Sequence, residues 1–516
     1  MGGPGTVGAA GDAFVNTTED LLYQASLCLP GKPCSLRAAI ARFEGRGGNV
    51  RACYDPAEVG GSKKCPPGWL PLTKSDPGYD AARGKWIFPI GDGHPPIEMA
   101  TDDNVIDFTR DIDGWDGPED NRIVLTSGNN IDLKQAISLE LGTGNKFMGL
   151  EVSGEYGLAA IDILDGASAN QFGPGMIFSA ITHGAGLRFF GPEVTGNRVI
   201  GSWCGITADG TELSPVQDDC VQIQDRAHDN VVGGEAAGDR NVFAASRLGV
   251  GVAVFGAAKG NQGRGNWLGL DAQAEPRYAS NGGLRIAEEA DNTLVAGNVI
   301  GGHKGAGVSI SDSTRDVILE DNRIGTGPDG QSEAANREYG VRIAGLPKGT
   351  TIRKNRIAFN QVGGVYISGS TSYDNTLIEN SITENDGPAI QVLQGANRNV
   401  KPPQITFVDP QHASGITCGG CRLEFFSDPG EQADVFEASV TAATDGVFQL
   451  SLPEGFTYRN LVATTSNGRN TSALSPVAVI GGPTPTPRPV TPTPTVTQDP
   501  NALRSVFLPW LGYGRQ

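Results

Sequence analysis

The sequence predicts an all-β, elongated parallel β-helix of about ten coils. Three observations carry that expectation: an apolar tetrad that recurs through the middle of the chain, an Asn at a fixed offset from it, and a composition rich in turn formers. The tetrads are Ala160-Ile-Asp-Ile163, Gly186-Leu-Arg-Phe189, Cys220-Val-Gln-Ile223, Gly251-Val-Ala-Val254, Gly283-Leu-Arg-Ile286, Gly307-Val-Ser-Ile310, Gly340-Val-Arg-Ile343, Gly364-Val-Tyr-Ile367 and Ala389-Ile-Gln-Val392. Their starts lie 26, 34, 31, 32, 24, 33, 24 and 25 residues apart, which a unit of about 24 residues with occasional insertions explains.

Within each tetrad the second and fourth residues are apolar and the third varies, so each is a short strand with one buried face. Asn266, Asn298, Asn322 and Asn355 follow their tetrad starts by 15 residues and Asn380 by 16. The aliphatics beside them (Val295, Val299, Ile318, Ile324, Ile352, Ile357, Leu377, Ile382) supply a second and a third strand per unit. Three strands this short cannot bury an apolar face alone, but identical coils stacked in parallel line up their aliphatics as internal columns. Stacked Asn side chains hydrogen-bond along the axis and tolerate the left-handed backbone of a sharp corner. Leucine-rich repeats share this period, but their Leu-x-x-Leu-x-Leu framework is missing.

The 516 residues include 73 Gly and 33 Pro against 4 Met and 7% aromatics, which suits many short strands and tight turns. A net charge of −18 repels nucleic acid and anionic membrane, excluding phosphate-backbone binding. No run of eighteen apolar residues is present, so no transmembrane segment is expected, and the amino terminus shows no basic-then-apolar leader. Eight cysteines fall into four local pairs, Cys28 with Cys34, Cys53 with Cys65, Cys204 with Cys220, and Cys418 with Cys421. Such pairing is expected of disulfides in an oxidising compartment, with Cys418-Gly-Gly-Cys421 open also to a redox dithiol.

Residues 1–103 are expected to form an amino-terminal segment and cap, with a helix over Leu36 to Phe43 and two disulfides, covering the open edge of the first coil. Residues 104–402 are the β-helix. Residues 403–480 alternate like a small antiparallel β-sandwich, with turns at Asp445-Gly446 and Asn467-Gly468. Residues 481–516 read as a disordered Thr/Pro stalk and a short apolar tail.

At this point the residues resemble a known group: right-handed parallel β-helix repeat proteins of bacterial envelopes, within the pectin-lyase-like superfamily, that open with a Cys-Ser-Leu-Arg-Glu-Ala motif. Cys34-Ser-Leu-Arg-Ala-Ala39 matches that opening with Ala38 in place of the acid. Asn298-Val-Ile-Gly-Gly302, Asp239-Arg-Asn-Val242, Asn322-Arg-Ile-Gly-Thr326 and Gly363-Gly-Val-Tyr-Ile367 resemble its coil motifs. The resemblance implies a right-handed helix and secretion; it implies no single activity.

Insertions mark where chemistry could sit. Asn266 to Gly283 is 17 residues and Asn322 to Gly340 is 18, against 9 for Asn298 to Gly307 and for Asn355 to Gly364. Long loops therefore leave one corner on non-adjacent coils and form a wall beside a strand face. Trp203, Asp209, Trp267, Asp271, Tyr278, Asp329 and Tyr339 on it combine aromatic platforms with carboxylates, which suits sugar binding. The third tetrad positions run Asp162, Arg188, Gln222, Ala253, Arg285, Ser309, Arg342, Tyr366, Gln391, and the arginines of such an outward row suit the carboxylates of an acidic glycan.

Asp218-Asp219-Cys220-Val-Gln-Ile223 resembles the paired-carboxylate strand of polygalacturonase-type hydrolases, which makes Asp218 and Asp219 candidates for acid–base work. The Gly-His-Gly of that family, expected near 243–250, is replaced by Phe-Ala-Ala-Ser-Arg-Leu-Gly-Val, and no Arg-Ile-Lys follows. Asp107, Asp111, Asp113 and Asp116 are hard-oxygen candidates for calcium, though Asp-Gly turns read the same way. No other cofactor is expected, since the five histidines lack ligand spacing. The expected protein is a secreted or cell-surface monomer that binds extracellular polysaccharide or cell-wall glycan through its corner loops. The alternatives are a polysaccharide hydrolase or lyase and a structural envelope spacer.

Overall fold

The computed structural model describes residues 12–480 apart from 22–27, 30, 44–46, 53, 56–64, 68, 91–93, 111, 113–114, 129–131 and 453–457. Cys53, Asp111, Asp113 and the Thr/Pro stalk thus lie outside the described residues.

Each turn of chain contributes one strand to each of three long sheets. Two have 12 strands and the third has 11. Their order is that of one coil: Leu294–Ala296, Val299–Ile300 and Val308–Asp312, for example, lie on the first, second and third sheets in turn. Apart from Tyr79–Asp80, an antiparallel edge strand of the second sheet, neighbouring strands pair in parallel with their counterparts one coil away, as in Val308↔Val341 and Ile310↔Ile343. This is a right-handed parallel β-helix, its hand that of ordinary parallel crossovers.

The tetrads form the third sheet. Ile161, Val252, Val308 and Ile390, together with Ile163, Phe189, Ile286 and Ile367, belong to one continuous apolar core. The column also extends beyond the expected start at 104. Asp12–Val15 and Asn49–Ala52 join the first sheet, Lys85–Pro89 the second and Ile97–Met99 the third.

Both ends of the column are covered. At the amino end the helix Leu36–Arg42 packs on the first strands, with Ser35 as N-cap accepting from the Ala38 N–H at 3.1 Å. Arg37 pairs with Asp20 at 2.8 Å and donates to the Pro95 and Pro96 carbonyls, so the Cys34-to-Ala39 motif is a clamp. Cys28–Cys34 closes the loop before the helix. Cys65 is also disulfide-bonded.

At the carboxyl end two antiparallel sheets, Gln404–Val408 with His412–Ile416 and Val447–Ser451, and Arg422–Asp428 between Val435–Thr441 and Asn460–Ser466, the latter also paired with Ala478–Val479, surround a second apolar core. Cys418 and Cys421 are joined in a disulfide. These sheets also cap the column: Ala433 exchanges two backbone hydrogen bonds of 2.7 Å with Ile382, on the last strand of the second sheet. The Thr471 hydroxyl meets the Leu377 N–H on the last strand of the first sheet. A raw parallel edge is thereby closed.

Asn ladders run up all three corners, where the sequence reading found one. Asn241, Asn266, Asn298, Asn322, Asn355 and Asn380 form the expected one. Asn104, Asn145, Asn170, Asn197, Asn230 and Asn261 form a second. Asn336, Asn360 and Asn385 form a third, continued by Gln432 of the cap. In every rung but that of Asn336, which gives the next rung only its side-chain amide, the next side-chain oxygen accepts from both the backbone N–H and the side-chain amide below it, satisfying donors that the corner would otherwise bury unpaired.

His303 interrupts the third ladder one coil before Asn336. Its ring is fully buried, and although the Leu268 carbonyl lies near, neither ring nitrogen completes a hydrogen bond; Asn336 Oδ1 also lacks a partner. Burial pulls the imidazole pKa down from 6.5 to about 3. The unfolded chain therefore takes up a proton below pH 6.5 that the folded chain refuses until about pH 3. Stability from this group falls as pH drops through that window, by about 1.4 kcal/mol per pH unit. His303→Asn is expected to complete the ladder, raise stability at pH 7 by about 1 kcal/mol and flatten the acid slope. Denaturant unfolding at pH 7 and pH 4.5 checks both, and an unchanged slope would contradict the assignment.

Candidate functional site

The three insertions leave the corner between the second and third sheets. Each opens with a glycine, Gly205, Gly269 or Gly325, at φ of +74°, +81° and +87°, where an added Cβ would fall within 2.0 Å of a carbonyl oxygen one coil away. Each then folds into a tight hairpin, bridged at Ile206↔Leu213, Leu270↔Pro276 and Thr326↔Glu333. Cys204 and Cys220 are bonded across the feet of the first insertion, with Cα atoms 5.9 Å apart. The second insertion stacks on the first through Arg277, which donates to the Thr211 carbonyl at 3.0 Å and pairs with Asp271 at 3.0 Å.

The corner carboxylates serve these turns. Asp209 accepts from Thr207 Oγ1 and the Thr211 N–H, Asp271 from the Gln273 and Glu275 N–H groups, and Asp329 from the Gln331 and Ser332 N–H groups. Hydrogen bonding from Ser332 first, and then these amides, draws the Asp329 carboxyl down to about 2. Trp203 and Trp267 lie half-buried on the outer face of the second sheet, and Trp267 sits beneath the Arg240 guanidinium at 4.5 Å, packed on Leu270, Val299 and Ala334. Tyr278 is half-buried under Arg337 at 5.1 Å. The aromatic and acidic residues predicted for the wall are thus split between two faces, and its acids are tied into their own loops.

The outer face of the third sheet carries a different set. Gln222, Ala253, Arg285, Ser309, Arg342, Tyr366 and Gln391 lie in register on successive coils. All but Ala253 are half-exposed. Arg285 lies over the Phe255 ring at 4.7 Å, and its Nε is buried without a hydrogen-bond partner. Among the described residues no carboxylate lies within ion-pair distance of Arg342. Tyr339 and Tyr366 pack at 4.8 Å with their planes tilted by 31°, and Tyr339 donates to Gln391 at 3.1 Å. The row is not outward throughout. Asp162 is fully buried and holds Arg188 at 2.8 Å, with that guanidinium over Phe190, so this end of the face is closed.

Asp218 and Asp219 lead from the first insertion into this face. Asp219 is buried, accepting from the Val250 N–H at 2.8 Å and from Gln222 Nε2 at 2.9 Å. Burial pushes its carboxyl above the usual carboxylate range, against the pull of Arg285 and those two hydrogen bonds. Burial and then the Asp219 charge raise Asp218 likewise, with His183 and Arg285 opposing. Two neighbouring carboxyls held above the usual carboxylate range beside a guanidinium are of the kind that acid–base work uses. Phe255, one residue past its tetrad, was the contributor the sequence reading missed; its outward alternation from Ala253 was the available signal.

The chain is thus a parallel β-helix closed at both ends, with one corner built up by insertions. Residues 190–400, less than half of the chain, match the family model described as "Periplasmic copper-binding protein (NosD)". Among solved structures, pectate lyase Pel9A is similar at 13% identity, covering 74% of this chain and 82% of its own, with a TM-score of 0.38. A variant of the periplasmic alginate epimerase AlgG shares 12% identity over 61% of this chain and 76% of its own, TM-score 0.36. The Azotobacter vinelandii mannuronan C-5 epimerase AlgE4 A-module shares 14% over 67% and 89%, TM-score 0.27. No curated protein matches the chain by sequence.

The donors present do not fit copper. Residues 190–400 hold no Met, two Cys that are bonded to each other, and two His on different corners, the half-buried His228 beside Asp229 and the buried His303. Among the described residues no three His, Cys, Asp or Glu side chains converge as a metal site. Of the calcium candidates, Asp116 is exposed with its N–H donating to Asp120, and Asp107 caps the turn at Thr109. Among the described residues no helix is long and apolar enough to cross a membrane.

Proposed function

We propose that the chain works outside the cytoplasm, secreted or at the cell surface, and binds extracellular polysaccharide along the outer face of the third sheet, with the corner loops as rim. The observation that carries this reading is the in-register row from Gln222 to Gln391, in which Arg285 keeps an unpartnered donor and Arg342 an unpaired charge beside the Tyr339–Tyr366 pair. Coils spaced about 4.8 Å apart offer a repeating set of donors and ring faces to a repeating polymer. The disulfides suit an oxidising compartment.

Retained binding without product on a panel of plant and microbial glycans supports binding alone. Arg342→Ala with Tyr366→Ala is expected to weaken the best ligand at least about tenfold with an unchanged unfolding temperature; unaltered affinity would refute the face. The raised carboxyls of Asp218 and Asp219 favour a second reading, a hydrolase or lyase. Under it, reducing ends or unsaturated uronates accumulate, and Asp219→Asn lowers their rate by about 100-fold or more.

A further inference from the structure

Cys418-Gly-Gly-Cys421 forms a tight, disulfide-closed turn in the carboxyl-terminal sheets, between the strands His412–Ile416 and Arg422–Asp428. Among the described cysteines Cys418 alone is exposed; Cys28, Cys34, Cys204 and Cys220 are fully buried, Cys65 is half-buried and Cys421 is 4% exposed. A thiolate arriving from solvent therefore reaches one sulfur of this disulfide, and neither sulfur of Cys28–Cys34 or Cys204–Cys220.

The fold also leans on this bond less than on those two. It closes a sequence separation of 3, against 6 for Cys28–Cys34 and 16 for Cys204–Cys220, so it removes the least loop-closure entropy from the unfolded chain. Backbone hydrogen bonds hold the turn in any case. The Cys421 N–H donates to the Cys418 carbonyl at 3.2 Å, closing a β-turn. The Thr417 and Gly420 N–H groups donate to the Gly446 and Ala443 carbonyls of the neighbouring hairpin at 2.8 and 3.1 Å, and the Ala442 N–H donates to the Cys421 carbonyl at 2.9 Å. Gly419 lies so close to that hairpin that an added Cβ would fall 2.2 Å from the Thr444 carbonyl oxygen, whereas a Cβ on Gly420, at φ +70°, would meet nothing within 4 Å. Opening the disulfide therefore leaves two thiols three residues apart on a turn that keeps its shape.

We propose that Cys418 is a reversible covalent attachment site for a small thiol. The incoming thiolate attacks Cys418 Sγ; the bond to Cys421 breaks, its electron pair leaves on Cys421 Sγ, and that sulfur takes a proton from water. The product is a mixed disulfide at Cys418 beside a sheltered Cys421 thiol. Release runs the same path backwards: Cys421 returns its proton to water, attacks Cys418 Sγ and expels the bound thiolate. Neither direction consumes an oxidant or a reductant. The site lies in the cap, and the inference stands apart from the glycan reading.

Incubating the native full chain with graded reduced glutathione, trapping free thiols by alkylation at early times and mapping peptides by mass spectrometry tests it. The expected result is a glutathione adduct on Cys418 with Cys421 alkylated, formed at least about tenfold faster than Cys28–Cys34 or Cys204–Cys220 opens, with an unchanged circular-dichroism spectrum. Single variants give a second readout. The free Cys418 thiol of Cys421→Ser is expected to react with an aromatic disulfide reagent at least about tenfold faster than the free Cys421 thiol of Cys418→Ser. Opening of Cys418–Cys421 no sooner than the two buried pairs, an adduct carried by Cys421, or loss of β-sheet signal on its reduction would overturn the proposal. Equal rates in the two variants would overturn it as well.

Discussion

Replacing Glu151 by Ala is expected to destabilise the fold by about 3–5 kcal/mol, because it strands a buried ammonium. Glu151 is 1% exposed and Lys85 5%, and their side chains meet at 2.7 Å on the outer face of the second sheet. Arg83 adds a contact at 2.6 Å and Ser179 donates at 2.8 Å. Burial pushes the Glu151 carboxyl up, but Lys85 and Arg83 together with the hydrogen bonds outweigh it and leave the group below its ordinary 4.5. A depressed folded pKa means that this stability is complete above the unfolded value and is lost as pH falls through the folded one. Glu151→Leu combined with Lys85→Met removes both charges and is expected to recover most of the loss. Urea unfolding of the single and double variants at pH 7 checks this, and equal losses in the two would contradict it.

Asn322→Ala is expected to cost a total on the order of 4 kcal/mol, at about 1–3 kcal/mol for each buried group left unpaired. Its Oδ1 accepts from the Asn298 backbone at 2.9 Å and from the Asn298 amide at 3.0 Å. Its own amide donates to the Val295 carbonyl at 2.8 Å and to Asn355 at 2.9 Å. Asn281, exposed and donating once to Leu248, is the matched control and is expected to change stability by no more than about 0.5 kcal/mol when replaced by Ala. Thermal unfolding separates the two; similar shifts would mean that the ladder is decoration.

The column was legible because its signal is periodic. Ile161, Val252, Val308 and Ile390 recur in a fixed local pattern, and burial on one face requires that pattern in every coil. One ladder was legible for the same reason. The second was open to the same reading and was missed, since Asn170, Asn197, Asn230 and Asn261 follow their tetrad starts by 10, 11, 10 and 10 residues; the third is hidden because His303 breaks it. The site was harder to read. Asp209, Asp271 and Asp329 look like ligands in sequence, but a carboxylate two residues before a backbone amide closes a turn just as well, and only coordinates show where its oxygens go. Outward tetrad positions were legible as a row; that Arg188 is paired to Asp162 while Arg342 stands free depends on neighbours one coil away.

A crystal structure of the chain with a bound uronate oligosaccharide tests the central claim most directly. The account predicts sugar density along the third sheet between Asp218 and Tyr366, with Arg285 Nε and the Arg342 guanidinium in contact with the ligand. Density confined to the first sheet, or an empty third-sheet face in crystals whose solution counterpart binds the same sugar, would contradict it.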